Sequence, residues 1–353
     1  MTAKTNSKKS DWLLSIPVHN LVIDKEINRE IKIGSVVFVD KDKIPFIRKR
    51  LGIQERISAM ELGILKDLDL RFFDECQTYA FHRCSNKTED EAKSRIIKIR
   101  EAYWILASSQ IGYNGRYSFT HFGLPEHTIA QSDEKYIFNT KSDSLSYKTN
   151  LAFQMEPYKL DRKWRNIVKP HFFFPLLNVI NGKTQATKRW RTKIKRASIF
   201  AAKSFYSSEK ETAFLYDWIA IESLLKTGKG KIDRTIVEHL IALFGWLTGG
   251  DGSYWGKTVE RLWKKRNEFF HEGIAEDITV RDILEADTIV YNLLNNLTRL
   301  TKQFPNQKSL NDFAEEVRAR KILNMKIKRT KLFYQKQRIT KRVVEELKLK
   351  NGW

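Results

Sequence analysis

The chain has 353 residues, and its 64 lysines and arginines against 42 aspartates and glutamates give a formal net charge of +22 and an isoelectric point near 9.8. A positive charge of this size favours a polyanionic partner such as a nucleic acid. No apolar run approaches the ~20 residues of a transmembrane helix, so we expect no integral membrane association.

The N-terminal half predicts a mixed α/β domain over residues 11–180. Residues 1–10 are polar and basic, unlike a signal peptide, and we expect a disordered tail there. Alternating apolar and polar residues predict two or three strands within 13–40. More short strands are expected within 117–153. The domain is long enough to bury its own core, and we expect it to act as a sensor or regulatory domain.

Helical periodicity appears twice in the same half, within 41–63 and within 90–110. The second segment predicts an apolar stripe made of Ile96, Ile97, Ile99, Ala102 and Ile105. Between the two lie the only cysteines, Cys76 and Cys84. Since nothing nearby completes a metal-binding set, we expect reduced thiols and a cytoplasmic location.

A basic segment follows, in which no acidic residue occurs between Arg162 and Ser208. Such a surface favours contact with phosphates, and binding through it should weaken steeply with salt. The expected nucleic-acid contacts in it are Lys188, Arg189, Arg191, Lys193, Lys195 and Arg196. Trp190 lies among these cations, where it could stack on a base or pack in a core.

Four helices are predicted next, within 212–231, 231–253, 258–272 and 279–304. The first has apolar residues at helical spacing with Glu222 among them. Glycine-rich breaks end the first two helices, and Gly273 follows the third. The fourth has acidic residues near its start and basic residues near its end, as the helix dipole favours.

The third helix contains Arg266, Asn267 and His271. An arginine and a histidine that meet at one phosphate can cleave RNA without a metal, because the histidine moves the 2′-hydroxyl proton and the guanidinium stabilises the charge on the phosphate. Asn267 and His271 are four residues apart and share a helix face. We expect the apolar residues of this helix to lie on the opposite face, and His271 near the helix end to be accessible. A surface arginine and a capping histidine are the alternative.

Spacing alone does not identify this site, because two other pairs have the same offset. Arg116 and His121 lie in a segment that predicts a strand, where an offset of five sends the side chains to opposite faces. Arg234 and His239 lie in a strongly apolar helix, where His239 is expected to be a satisfied core or boundary residue.

The C-terminal segment, residues 306–353, predicts a basic helical extension without acidic residues from Arg318 to Val344. The expected contacts with nucleic acid here and on the third helix are Lys264, Lys265, Lys326, Lys328, Arg329 and Lys331. The charges surround the predicted helix rather than occupying one face, which favours nucleic acid over a membrane surface or simple solubility.

The order of the four helices, with WIAIESLL in the first and LWKKRNEFFHEG in the third, resembles the HEPN superfamily and its Apea-like branch. The resemblance covers about residues 185–305 and implies an α+β protein in which a C-terminal all-α HEPN bundle, residues 181–305, follows the mixed domain. It implies catalytic roles for Arg266, Asn267 and His271, and a position for Glu222 beside them.

Active HEPN proteins are metal-independent endoribonucleases, so the resemblance implies no cofactor and RNA as the substrate. It also implies a homodimer, or a higher oligomer, in which the motifs of two protomers form one composite site. Many relatives are growth-arresting effectors of antiviral, abortive-infection or toxin systems under a regulatory protein or nucleic-acid partner. A non-catalytic HEPN-type adaptor that binds nucleic acid within a larger defence complex is the second function class.

Overall fold

The computed structural model describes residues 10–19, 21–51, 77–86, 88–111, 130–131, 135–139, 144–148, 158–207, 209–226, 234–247, 253–272 and 278–319. The chain forms two compact units. The first unit comprises Met1–Leu224 and Arg266–Pro305, and the second comprises Leu225–Lys265 and Asn306–Trp353. Some residues named by the sequence predictions lie outside the described ranges. They are Arg116, His121, Cys76 and the predicted nucleic-acid contacts Lys326, Lys328, Arg329 and Lys331.

An antiparallel sheet dominates the N-terminal part of the first unit, as expected for the α+β class. The described strands are β1 (Ser10–His19), β2 (Leu21–Ile23), β3 (Glu30–Ile33), β4 (Val36–Asp40), β5 (Thr78–Asn86), β6 (Ala130–Gln131), β7 (Lys135–Asn139), β8 (Ser144–Lys148) and β9 (Tyr158–Leu160). The sheet follows the order β3-β4-β5-β1-β7-β8, and β6 also pairs with β1. Strands β2 and β9 form a separate parallel pair.

The described part of the first forty residues contains four strands, where the sequence predicted two or three. Backbone reversals separate β2 from β3, where Asn28 and Arg29 adopt left-handed φ angles of 68° and 53°, and β3 from β4, where Gly34 has a φ of 62°. The sequence pattern predicts no strand at β5, which lies between β1 and β4 in the sheet. Five consecutive residues of β5, starting at Thr78, are buried, so the alternation that marks a half-exposed strand is missing.

Two helices, α2 (Glu89–Ser94) and α3 (Ile96–Ala107), pack against the sheet, after the short helix α1 (Ile44–Leu51). Burial of Ile96, Ile99, Ala102 and Ile105 confirms most of the predicted stripe on α3. Ile97 is 50% exposed, so its inclusion was wrong. Positions 96, 99 and 102 repeat at helical spacing, whereas position 97 is turned by about 100° from 96.

The remaining helices of the first unit are α4 (Arg162–Val168), α5 (Phe173–Ile180), α6 (Lys188–Phe205), α7 (Lys210–Leu225) and α10 (Val280–Arg299). A capping box starts α10. The hydroxyl of Thr279 accepts a hydrogen bond from the backbone N–H of Asp282, and the carboxylate of Asp282 accepts one from the backbone N–H of Thr279. Helix α6 packs against α3, α5 and α10. This packing places α6 in one unit with the sheet, whereas the sequence predicted a boundary at residue 180.

The second unit contains α8 (Arg234–Leu247), the part of α9 (Ser253–Glu272) up to Lys265, and α11 (residues 307–319). His239 on α8 is 5% exposed, and its Nε2 lies 2.7 Å from Oε1 of Glu315 on α11. The expectation of a satisfied boundary histidine is therefore confirmed. A second link joins the same helices, where Arg318 forms an ion pair of 2.8 Å with Glu238.

No helix in the described part of the chain combines the length and the apolar composition that a bilayer span requires.

An ion pair between Lys195 on α6 and Glu101 on α3 gives a pH prediction. The lysine Nζ lies 2.6 Å from Glu101 Oε2, which Lys98 also contacts. Burial by itself would raise the pKa of Glu101, but the hydrogen bonds and charges of the two lysines outweigh it and lower the pKa below its ordinary 4.5. The stability that the pair provides is therefore complete above that ordinary value and is lost as the pH falls through the folded-state pKa.

We expect Lys195→Ala to lower the free energy of unfolding by about 1 kcal/mol near neutral pH. The difference from the parent should shrink as the pH falls below 4.5, the ordinary pKa of a glutamate, and through the lower folded-state pKa. Denaturant titrations at several pH values measure this difference. Lys188→Ala, an exposed cation of the same helix, is the matched control and should have a small effect at every pH. A Lys195→Ala effect that does not change with pH would contradict the assignment.

Candidate active site

Helix α9 positions the three residues of the predicted motif. Val259 and Leu262 on this helix are fully buried, and Arg266 is only 6% exposed. Steps of three and four residues place these positions on one face. The sequence pattern predicts that the apolar residues of this helix lie opposite the motif, and for Arg266 this prediction is wrong. Arg266 continues the buried face of the helix.

The guanidinium of Arg266 forms hydrogen bonds with Glu222 and Asn267. Its Nη2 donates to Oε1 of Glu222 at 3.0 Å, and its Nη1 donates to Oδ1 of Asn267 at 3.1 Å. The side chains of Arg266 and Glu222 are 8% and 16% exposed. A charge-assisted hydrogen bond in this setting is stronger than one at the surface. The structure therefore fixes the guanidinium between a carboxylate and an amide.

Helix α7 supplies Glu222 from the polar edge of a strongly buried helix. Trp218, Ile221 and Leu224 on α7 are fully buried, as the predicted amphipathic pattern requires. Glu222 is half-buried and faces Arg266 from 44 positions earlier in the chain. Glu222 therefore lies beside Arg266, as the resemblance implied, and the two side chains form a direct ion pair.

Asn267 is half-buried, and its carbonyl oxygen accepts from Arg266. Within the described residues, no acceptor lies at hydrogen-bond distance from its amide nitrogen. His271 is helical, one turn after Asn267, and its side chain lies outside the part that the structure describes. The described geometry thus brings together Glu222, Arg266 and Asn267, with the backbone of His271 on the Asn267 face.

The basic residues predicted to contact nucleic acid differ in exposure. Lys188, Arg189, Arg196 and Lys264 are exposed, whereas Arg191, Lys193 and Lys265 are half-buried. Arg196 lies over the ring of Phe200 at 5.5 Å. Burial and the positive charge of Arg189 lower the pKa of Lys193, so cations crowd one another on α6.

Two residues of α6 have structural partners that the sequence analysis did not identify. Lys195 pairs with Glu101, which removes it from the set of exposed cations. Trp190 is 1% exposed and belongs to the core, so of its two alternatives the structure favours packing over base stacking. No local signal marked Glu101 as a partner, because it lies 94 residues before Lys195.

Among the described residues, no group of three or more histidine, cysteine, aspartate or glutamate side chains is arranged to hold a metal ion. Cys84 is a free cysteine.

Comparisons of the chain with protein-family models, with curated proteins and with solved structures find no significant match.

Proposed function

We propose that the protein is a metal-independent endoribonuclease of the HEPN type, with Arg266, Asn267 and His271 as its catalytic set. The observation that carries the proposal is the hydrogen bond from Arg266 to Asn267 on α9, one helical turn before His271. A histidine can move the protons of transfer within RNA, and a cation and an amide donor can stabilise the charge that develops on the phosphate.

The reaction follows from the chemistry of these groups. His271 in its neutral form takes the proton from a ribose 2′-hydroxyl, and the 2′-oxygen attacks the adjacent phosphorus. The bond from phosphorus to the 2′-oxygen forms while the bond to the 5′-oxygen of the next nucleotide breaks. The leaving oxygen takes a proton from a second histidine, His271 of the other protomer in the proposed homodimer. The products are a 2′,3′-cyclic phosphate and a 5′-hydroxyl.

The proposal assigns the phosphate charge to Arg266 and one phosphate oxygen to the amide of Asn267. Because Glu222 accepts from the guanidinium, an entering phosphate must join or displace this carboxylate. The energetic cost of displacement is offset only if the phosphate makes equivalent charge-assisted bonds. Glu222 therefore orients the guanidinium before RNA binds and competes with RNA once it binds.

Charge supports RNA as the substrate. The formal net charge is +22, and exposed Lys188, Arg189 and Arg196 lie on one helix. A polyanion bound there would release counterions, so binding should weaken steeply with salt. Growth arrest during antiviral or toxin-type defence is the biological role that we propose for such cleavage, in the cytoplasm and under a regulatory partner.

The burial of Arg266 favours one alternative, a non-catalytic adaptor that binds nucleic acid. In that case the ion pair with Glu222 serves to join α7 to α9, and another subunit of a larger complex performs the chemistry. The two functions differ in one observable, because the adaptor binds RNA without cutting it.

The test is incubation of the purified full chain with total RNA in excess EDTA, followed by sequencing of the new ends. Cleavage that leaves 2′,3′-cyclic phosphate and 5′-hydroxyl ends supports the proposal, and EDTA should not reduce the rate. RNA that is bound but stays intact supports the adaptor. Cleavage that EDTA abolishes would rule out the proposed mechanism.

A further inference from the structure

A basic cavity in the first unit lies apart from Arg266 and its neighbours. Its volume is about 760 Å³, within the range of pockets that hold small molecules. Strand β3, the turn after it, helix α4, helix α5 and the residues that follow these helices form its wall.

Four cations line this cavity, namely Lys32, Arg165, Lys169 and Lys183, and all four are exposed. The described lining includes no carboxylate, and no described acid lies within ion-pair distance of any of the four. Like charges gathered around one cavity repel one another, and a bound anion removes this cost.

Some other cations of the same unit form ion pairs within the chain, unlike the four that line the cavity. Lys43 and Arg50 share the carboxylate of Glu30, at 3.0 Å and 2.6 Å. Lys159 pairs with Asp24 at 3.1 Å. The four cations that line the cavity have no such carboxylate partner among the described residues, so their positive charge is left for a ligand.

An aromatic and apolar wall adjoins these charges. Phe174 is half-buried, and the buried Trp164 holds it edge-on at a centroid distance of 5.9 Å. Leu177 and Ile180 extend the apolar surface along α5. A planar base can lie against such a wall, and stacking on an aromatic ring is sequence-tolerant. The cavity therefore offers one region for phosphates and another for a base.

A fixed turn positions the rim of the cavity. The N–H of Gly34 donates to Oδ1 of Asn181 at 2.8 Å, which ties the turn after β3 to the end of α5. The φ of 62° at Gly34 is one that other residues rarely adopt. Lys32 lies two residues before Gly34, and Lys183 lies two residues after Asn181. This hydrogen bond therefore fixes the backbone next to both lysines.

We propose that this cavity binds a nucleoside di- or triphosphate, with the phosphates at Lys32, Arg165, Lys169 and Lys183 and the base against Phe174. A polyphosphate concentrates several negative charges on one compact chain, which matches four cations around one cavity. An RNA chain spreads a single charge over each nucleotide and suits an extended groove. The site does not depend on the proposed ribonuclease activity.

The experiment is calorimetric titration of the full chain with ATP, GTP, inorganic tripolyphosphate and adenosine. We expect ATP or GTP to bind about tenfold more tightly than tripolyphosphate, because stacking adds to the phosphate contacts. Adenosine should not bind measurably. Phe174→Leu should abolish the advantage of the nucleotide while it leaves tripolyphosphate binding unchanged, which also shows that the variant is folded.

Two double variants separate the site from general positive charge. Arg165→Ala with Lys169→Ala should weaken nucleotide binding at least about tenfold. Arg162→Ala with Lys163→Ala removes the same two residue types from exposed positions on α4 that do not line the cavity, and should change binding less than about twofold.

Three results would overturn the proposal. The first is that neither ATP nor GTP binds. The second is an equal loss in both double variants, which would mean diffuse attraction. The third is tighter binding of a 2′-O-methylated RNA decamer than of either nucleotide, with RNA binding weakened only in the Arg165→Ala, Lys169→Ala variant. That result would make the cavity part of an RNA groove. The decamer lacks the 2′-hydroxyl that cleavage needs, so the outcome is independent of nuclease activity.

Discussion

Arg266→Ala should lower the free energy of unfolding by about 3–5 kcal/mol. The substitution leaves the carboxylate of Glu222 half-buried without the guanidinium that now lies 3.0 Å away. It also removes the donor to Asn267. Denaturant titration followed by far-UV circular dichroism measures the loss.

The matched control is Lys257→Ala, an exposed cation on the same helix, which should change stability by less than about 0.5 kcal/mol. A double-mutant cycle with Glu222→Ala tests the pair itself. The double variant should be more stable than the sum of the single losses predicts, because it removes both charges of the ion pair together. Strictly additive losses would show that the two side chains do not stabilise each other.

This expected loss changes how the catalytic motif can be tested. An Arg266→Ala variant that fails to cleave RNA could be unfolded rather than catalytically impaired. Substitutions at His271 and Asn267 give a cleaner result, since the half-buried Asn267 makes one hydrogen bond with the described residues.

His271→Ala should reduce the rate of RNA cleavage by about 10²- to 10⁴-fold, the usual contribution of general acid–base catalysis. Asn267→Ala should reduce the rate by at least about tenfold, because it removes a donor to the developing charge. Rates are measured on a labelled RNA in EDTA. Each variant is used only if its denaturant midpoint matches that of the parent.

His239→Gln is the spacing-matched control, because Arg234 and His239 repeat the offset of Arg266 and His271. His239 is engaged with Glu315, and glutamine can keep a hydrogen bond there. Its cleavage rate should equal that of the parent. Parent-like cleavage by His271→Ala would reject the proposed catalytic set, and RNA binding without cleavage by the parent would favour the adaptor.

The local pattern of the sequence was sufficient to predict helices α7 to α10 and the structural role of His239. Apolar residues at helical spacing determine which face of a helix is buried, and glycines and caps determine where it ends. The apolar positions predicted for the first helix include Trp218, Ile221 and Leu224, which are buried. The predicted start of the fourth helix coincides with the capping box at Thr279. The same reasoning failed for β5, whose consecutive buried residues show no period.

Only the tertiary structure decided which charges are paired. The sequence assigned Lys195 to a nucleic-acid contact, but Glu101, which lies 94 residues before it, pairs with it in the fold. For Arg266 the resemblance implied only that Glu222 lies nearby, and the fold makes this a direct ion pair between residues 44 positions apart. The basic cavity has the same origin, since Lys32 from β3 meets Arg165 and Lys183 from a distant segment. By itself the sequence determined the net charge of +22 and the helical periods. Which cations face solvent depends on contacts between segments that are distant in the sequence. The spacing of apolar residues within one helix or strand contains no information about such contacts.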